Sequence, residues 1–233
     1  MREAKKKKKK SETTIAVFGD GSVSGSRAFS VYLVSGLFLV VGFWVAHHVY
    51  AADLISNPSF TLLLIWSIEF PVVVIAYSLF RRDADECPYW RAAARSVVGL
   101  VTGALINASG AIALGAPVGL QYLWKTINWS FLMSVFTFVP AAAVFGASWA
   151  DWHRAYACMK PTASREYMIV VPAYGAIIGA WFGAWPMPLD WERPWQEWPV
   201  CVSYGAIVGY AFGQLVSLVL ILLEKRRLNR KRD

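Results

Sequence analysis

The sequence predicts an all-α, polytopic membrane protein whose six transmembrane helices form one bundle. Of its 233 residues, 57% are hydrophobic and only 16% are charged, whereas a soluble domain has about 25% charged residues. Backbone polar groups inside lipid must be hydrogen-bonded within the segment itself, so long apolar stretches are predicted to be helices. Six stretches approach the length that spans a bilayer: 29–50, 60–80, 96–116, 127–148, 167–186 and 200–223.

The basic residues predict how the bundle is oriented. Of the 23 Lys and Arg residues, 21 lie in the two termini or in the connections around 81–95 and 150–166, and the two others are Lys125 and Arg193. Lys and Arg concentrate on the cytoplasmic side of membrane proteins. Both termini are therefore predicted to be cytoplasmic, and the connection between the fifth and sixth helices is predicted to face away from the cytosol.

Composition divides the chain into three parts. Residues 1–28 contain a lysine run followed by a Ser- and Gly-rich stretch, and are predicted to form a disordered, basic cytosolic tail. Residues 29–224 form the predicted six-helix transmembrane domain, and residues 225–233 form a second basic cytosolic tail. The lysine run precedes predicted membrane spans, so we expect no nucleic-acid partner for it.

An internal repeat predicts how the last two helices pack. The segments "YGAIIGAWFG" (174–183) and "YGAIVGYAFG" (204–213) agree at seven of ten positions. Glycine recurs every fourth residue and so lies on one helix face, where small residues let membrane helices approach closely. Because the glycines are equidistant in pairs from Pro194, we predict a tight antiparallel hairpin of helices five and six through Gly175, Gly179, Gly183, Gly205, Gly209 and Gly213. In the alternative interpretation, these stripes receive helices of another protein.

One acidic residue is predicted to lie deep in the membrane. Glu69 is near the middle of the second helix, just before Pro71, and Asn107 and Gln214 are expected at a comparable depth. An ionisable residue at this depth is costly and is a functional candidate. The amides could hydrogen-bond Glu69 as a polar clasp between helices. In the alternative interpretation, Glu69 is a proton or ion site of a transporter.

The connection "LDWERPWQEWP" (189–199) contains the main candidate site. Its acids could supply acid–base catalysis, and its arginine could hold a phosphate. Tryptophans with an arginine are also typical of protein–protein hot spots. Because few other reactive groups are predicted on that side, we favour a structural clamp or docking surface over catalysis, and we predict no metal site. The candidate contact residues are Asp190, Trp191, Glu192, Arg193, Pro194, Trp195 and Trp198.

The string "GAWPMPLDWERPWQEWP" (183–199) resembles the signature of the PIG-F family of glycosylphosphatidylinositol (GPI) anchor biosynthesis. A weaker similarity continues through "GAIVGYAFG" in the sixth helix. Upstream, "LGAP" (114–117) and "FTFVP" (136–140) also resemble the family. Before about residue 95 the similarity is in hydropathy alone, and residues 1–28 lie outside it.

This resemblance implies a non-catalytic, cofactor-free subunit in the endoplasmic reticulum membrane. Such a subunit binds and stabilises PIG-O-like and PIG-G-like ethanolamine phosphate transferases, which add phosphoethanolamine to mannoses of the GPI precursor. From the chemistry of the loop, its tryptophans would pack against the hairpin and the partner. Arg193 would pair with Asp190 or Glu192, or meet the phosphate of the GPI lipid or its donor.

Two other functions stay open. One is a lipid transporter or scramblase that handles GPI intermediates along a path lined by Glu69, Asn107 and Gln214. The other is direct transferase activity of the loop acids. The first predicts transport by the purified chain alone, and the second predicts turnover without a partner.

Overall fold

The computed structural model describes residues 23–82, 87–161 and 163–230, so most of the predicted N-terminal tail and residues 231–233 lie outside the described residues. The six long helices are α1 (Gly25–Tyr50), α2 (Pro58–Ser78), α3 (Tyr89–Ala113), α4 (Leu120–Phe145), α5 (Ser164–Ala184) and α6 (Val200–Arg230). Each is long and apolar enough to cross a membrane, by length and composition. This confirms the predicted fold class.

Several helix ends differ from the predicted boundaries. The largest differences, seven residues each, are at the starts of α3 and α4 and at the end of α6. Helix α1 begins at Gly25 rather than at residue 29, because the Ser24 hydroxyl accepts a hydrogen bond from the Arg27 N–H at 3.4 Å and so caps the helix. Helix α6 continues to Arg230, so the described part of the predicted basic tail, residues 225–230, is helical. Each helical hydrogen bond joins backbone groups only four residues apart. The helix can therefore continue beyond the end of its apolar stretch.

Helix α4 forms the centre of the bundle. In its most apolar 18-residue window, 83% of the residues are buried, against 28% to 39% in the other five helices. Helices α2, α3 and α5 pack along it, and on the α6 side the ring of Phe136 stacks on Tyr210 with centroids 4.2 Å apart. Helices α2, α3, α5 and α6 therefore surround α4 and shield it from the outside of the bundle.

Helices α5 and α6 form the predicted glycine hairpin. A β-carbon added to one glycine of each predicted pair would lie only 2.8 to 3.1 Å from the Cα of its partner: at Gly179 facing Gly209, at Gly205 facing Gly183, and at Gly175 facing Gly213. The obstacle in each case is backbone, which cannot rotate away as a side chain would. The hairpin and its register are therefore confirmed, and the glycines are used for packing within this chain.

The connections between helices fall at two ends of the bundle. We call the end with residues 51–57, 114–119 and 185–199 the loop side. The opposite end, with residues 79–82, 87–88, 146–161 and 163, is the terminal side, because the described chain also begins and ends there. On the terminal side, a short helix (Trp149–Trp152) continues as one π-helical turn (His153–Ala157) before α5 begins.

A buried carboxylate joins three segments on the terminal side. Asp151 is 2% exposed and forms ion pairs with Arg82 and, at 2.9 Å, with Arg154, which also pairs with Glu166 at the start of α5. Burial acts to raise the pKa of Asp151, but hydrogen bonds from Ser148 and Arg82 and the charges of both arginines outweigh it and leave this pKa below its ordinary value. Asp151 is therefore a charged structural group at neutral pH.

Candidate partner and lipid contact site

A buried glutamine holds the connection between α5 and α6 in shape. Gln196 is 8% exposed, and its Oε1 accepts from the Arg193 N–H at 2.8 Å. Its Nε2 donates to the carbonyl oxygens of Pro186 at 2.6 Å and Leu189 at 2.8 Å. These three bonds cross-link both halves of the loop. Sequence reasoning did not single out Gln196, because one amide in a charged segment has no distinctive spacing.

Trp198 anchors the end of this loop to the central helix. Its side chain is 7% exposed, its Nε1 donates to Thr126 Oγ1 of α4 at 3.0 Å, and its ring lies 5.1 Å from the ring of Trp129. Among the three predicted tryptophans, Trp198 is therefore the one placed as a structural clamp. Its position fixes the start of α6 against α4.

The other two tryptophans of the segment 189–199 form a ring pair whose outer member is Trp191. The rings of Trp191 and Trp195 meet edge to face, 6.0 Å apart. Trp191 is 57% exposed, and Trp195 is half-buried against the core. Their predicted contact with a partner or with lipid stays a prediction, but their faces are accessible for one.

The charged groups of the loop are arranged differently from the predicted pairing. Within the described parts of the chain, neither Asp190 nor Glu192 forms an ion pair with Arg193. Instead, Glu197 lies 3.7 Å from Lys125. The backbone of Glu192 is left-handed, with φ 49°, a conformation that non-glycine residues rarely adopt. These four loop residues line a cavity of about 410 Å³.

A second carboxylate on the loop side shapes a turn. Asp53 Oδ1 accepts from the backbone N–H groups of Ile55 at 2.8 Å and Ser56 at 2.7 Å. The bonds from Ser56 and Ile55 lower the pKa of Asp53, so it stays charged and holds the turn before α2. In the described ranges, no group of three His, Cys, Asp or Glu side chains could hold a metal ion.

Within the bundle, Glu69 is part of a small polar cluster. Ser35 Oγ of α1 donates to Glu69 Oε1 at 2.5 Å, and Gln214 Nε2 of α6 donates to Ser35 Oγ at 3.2 Å. Asn107 is not part of it, because its Nδ2 donates to the Gly103 carbonyl oxygen of its own helix at 2.8 Å and to Thr137 Oγ1 of α4 at 3.5 Å. Ser35 is the member that sequence reasoning missed. The arrangement fits a clasp of α1, α2 and α6.

The clasp predicts the effect of removing its central hydroxyl. In Ser35→Ala, Glu69 Oε1 and the Gln214 amide lose their shared partner. We expect a loss of about 1 kcal/mol in the free energy of unfolding, measured by unfolding in mixed micelles. The control is Ser30→Ala, because Ser30 is exposed on the same helix and bonds only the Ser26 carbonyl.

A second pair of variants separates a clasp from a proton site. Glu69→Gln keeps an oxygen that accepts from Ser35, so its stability should stay near that of wild type. Glu69→Leu removes that oxygen and should destabilise the chain at least as much as Ser35→Ala does. Equal destabilisation by both substitutions would contradict the clasp.

An apolar groove of about 900 Å³ runs along the outer face of the α5–α6 hairpin. Ile178 and Phe182 of α5 and Val208 and Phe212 of α6 form its walls, and the glycine backbones form part of its floor. Met159 lies at its terminal-side end. The four wall residues are between 51% and 67% exposed, so the groove is open to the surroundings of the bundle.

Together, these features define a class of protein: a six-helix membrane protein with a rigid, charged aromatic loop at one end. A family model described as "GPI biosynthesis protein family Pig-F" matches residues 29–218. This chain therefore belongs to the Pig-F family of GPI biosynthesis proteins. The match includes all six helices at least in part, whereas the resemblance in the sequence was strongest in the connection between the last two.

Several curated proteins are similar to part of the chain. A human protein named "GPI ethanolamine phosphate transferase, stabilizing subunit" is 33% identical over 122 residues, which cover 52% of this chain and 55% of that protein. A Schizosaccharomyces pombe "PIGF/3-ketodihydrosphingosine reductase fusion protein" is 36% identical over 121 residues, or 52% of this chain and 24% of that protein. The name of the human relative describes a stabilising subunit rather than a catalytic one.

A relative from a second fungus is also similar to only part of the chain. The "Glycosylphosphatidylinositol anchor biosynthesis protein 11" of Aspergillus fumigatus is 33% identical over 105 residues, which cover 45% of this chain and 34% of that protein. The aligned part spans about half the length of the human and mouse relatives, at 55% of each. No solved structure matches the chain.

Proposed function

We propose that this chain is a non-catalytic subunit that binds and stabilises ethanolamine phosphate transferases of GPI-anchor synthesis in the endoplasmic reticulum membrane. Family membership and the name of the human relative support it. The observation that carries the proposal is the loop at 185–199, which Gln196 and Trp198 hold rigidly while Trp191 and Arg193 face outward. A surface that is ordered before binding loses little entropy when a partner docks.

The proposed orientation places the loop side in the lumen. It rests on the basic residues, most of which lie in the termini and the terminal-side connections, as expected of a cytoplasmic face. Transferases similar to PIG-O and PIG-G would then contact the loop through their lumenal parts. Exposed tryptophan with arginine is the composition that dominates binding energy in many interfaces, so we assign the contact to Trp191, Arg193 and Trp195.

The proposal is tested by purifying the tagged chain from its own cells in mild detergent and identifying the proteins bound to it by mass spectrometry. Wild type should recover a large ethanolamine phosphate transferase. The loop variant Trp191→Ala/Arg193→Ala/Trp195→Ala should lose it. A matched control on the terminal side, Trp90→Ala/Arg91→Ala/Trp149→Ala, removes the same residue types from exposed positions and should recover the transferase as wild type does.

The stabilising role has its own measurement. Deleting the chain should lower the steady-state amount of the transferase, and wild type should restore it. If the loop variant binds and restores the transferase fully, the contact lies in the helices, and the apolar groove on α5 and α6 becomes the surface to change. If even wild type neither binds nor stabilises a transferase, the proposed function is wrong.

The buried polar residues give little support to the alternative of lipid transport. Glu69 and Gln214 meet through Ser35, whereas Asn107 bonds the Gly103 carbonyl oxygen of α3 and the Thr137 hydroxyl of α4. The three predicted path residues therefore do not form one hydrogen-bonded series across the bundle. This arrangement supports a structural role for them within a subunit.

A further inference from the structure

We propose that the loop cavity binds an ethanolamine phosphate headgroup, with Arg193 contacting the phosphate and Asp190 and Glu192 contacting the ammonium. This inference rests on the proposed function and gives the loop a ligand class in addition to a protein partner. The headgroup would belong to a membrane phospholipid or to a glycolipid whose sugar carries the same group. Both sources share a phosphate diester and a primary ammonium.

The charges around the cavity match a zwitterion. The cavity has a volume of about 410 Å³, and its lining includes Asp190, Glu192, Arg193 and Glu197. Glu197 lies near Lys125, while the other three charged groups form no ion pair within the described chain. A simple phosphate would meet two carboxylates there, and a simple amine would meet the guanidinium. A ligand with both charges pairs with all three groups, because Arg binds phosphate and carboxylates accept from an ammonium.

The backbone that carries these groups is held in place before any ligand binds. Gln196 Oε1 accepts from the Arg193 N–H at 2.8 Å, and Gln196 Nε2 donates to the Leu189 carbonyl oxygen at 2.8 Å. Between them, Glu192 adopts a left-handed conformation with φ 49°. Strained backbone of this kind persists where surrounding contacts enforce it, and it is concentrated at functional sites. The backbone from which the three charged side chains extend is therefore fixed.

The cavity lies on the loop side of the bundle, next to the ends of two helices long and apolar enough to cross a membrane. It is formed by the connection between two apolar helices, immediately after α5 ends at Ala184 and before α6 begins at Val200. The adjacent Trp191 and Trp195 form an aromatic pair, and tryptophan is enriched at membrane–water interfaces. A headgroup can therefore enter the cavity while its acyl chains stay in the bilayer.

The two carboxylates predict a choice between headgroups. A primary ammonium donates three hydrogen bonds, whereas the quaternary ammonium of choline has no N–H donor. Asp190 and Glu192 can satisfy the first but not the second. The loop should therefore prefer phosphatidylethanolamine to phosphatidylcholine with identical acyl chains, although both are zwitterions of similar overall charge.

Native mass spectrometry of the purified full chain tests this preference. The chain is incubated with equimolar phosphatidylethanolamine and phosphatidylcholine, and the retained lipids are counted. We expect about a tenfold preference for phosphatidylethanolamine, equivalent to about 1.4 kcal/mol. Asp190→Asn/Glu192→Gln should abolish the preference, and Arg193→Gln should reduce retention of both lipids. Asp53→Asn, on the same side but outside the cavity, should behave as wild type. Equal retention of both lipids by wild type would overturn the proposal.

Two soluble competitors identify the source of the headgroup. Glycerophosphoethanolamine represents the phospholipid, and a phosphoethanolamine diester of mannose represents the glycolipid. Displacement of phosphatidylethanolamine by either compound supports the headgroup site, and the stronger competitor identifies the preferred source. If neither compound displaces the lipid at high excess, acyl chains rather than the headgroup are responsible, and the proposal is wrong.

The same purified samples separate this inference from the proposed function. A wild-type chain that recovers the transferase but shows no headgroup preference refutes the headgroup site alone. A wild-type chain that shows the preference but neither binds nor stabilises a transferase refutes the subunit role alone. Both measurements use the intact chain. The unfolding temperature of each variant shows whether a loss of binding comes from a folding defect.

Discussion

Gly209→Leu is expected to destroy the packing of α5 against α6 and to leave little folded protein. A β-carbon at this position would lie 2.8 Å from Gly179 Cα and closer still to the Gly175 carbonyl oxygen. Inserting extra methylenes into a packed interior costs about 1–3 kcal/mol even where side chains can shift. Here backbone atoms block the space, so the two helices must separate. The measurements are the yield of monodisperse protein and the unfolding temperature in detergent.

A second glycine provides the matched control. Gly36 also lies in a membrane-spanning helix, but a β-carbon there would meet nothing within 4 Å. Gly36→Leu should therefore unfold near the temperature of wild type, and Gly209→Ala should fall between the two leucine variants. If Gly209→Leu is as stable as Gly36→Leu, the close contact of α5 and α6 is wrong.

Trp198→Ala is expected to lower the free energy of unfolding by about 3–5 kcal/mol, the range for removing a large buried aromatic side chain. The substitution removes the ring beside Trp129 and the hydrogen bond to Thr126. It also releases the loop from α4, so partner recovery should fall together with stability. Chemical or thermal unfolding in micelles, followed by intrinsic fluorescence, measures the first effect, and the purification described above measures the second.

Two further tryptophan variants separate the components of this effect. Trp191→Ala removes a side chain that is 57% exposed, so the stability of the chain should hardly change. Trp198→Phe keeps most of the ring but loses the bond to Thr126, for which we expect about 1 kcal/mol. Unchanged stability in Trp198→Ala would show that Trp198 does not anchor the loop.

Features with a local periodic signal could be predicted from the sequence. Apolar length predicted the six helices, and the glycine spacing around Pro194 predicted the register in which Gly179 faces Gly209. Both predictions depend on the geometry of one helix or one hairpin. The identity of the loop as a site came from its unusual composition, which is also a local property.

Features that depend on which distant segments meet could not be predicted. Ser35 joins Glu69 and Gln214 because α1, α2 and α6 converge, and a single serine in an apolar helix gives no sign of this. The central position of α4 could not be predicted either. The most apolar 18-residue windows of α3 and α4 have the same mean hydropathy of 1.6, yet 33% of the α3 window and 83% of the α4 window are buried. Hydropathy reports compatibility with lipid, not which helix has neighbours on every side.

The enclosed position of α4 sets an order for biosynthesis. The ribosome produces α4 before α5 and α6, so the helix must wait in the membrane with its future contacts uncovered. The rings of Trp129 and Phe136, which lie against Trp198 and Tyr210 in the finished bundle, would meanwhile face lipid or an insertion factor. The side of α4 that carries Thr126 is closed only when Trp198, 72 residues later in the chain, hydrogen-bonds to it. The last hairpin therefore acts as a completion step, and chains that stall before it expose a surface that quality control can recognise.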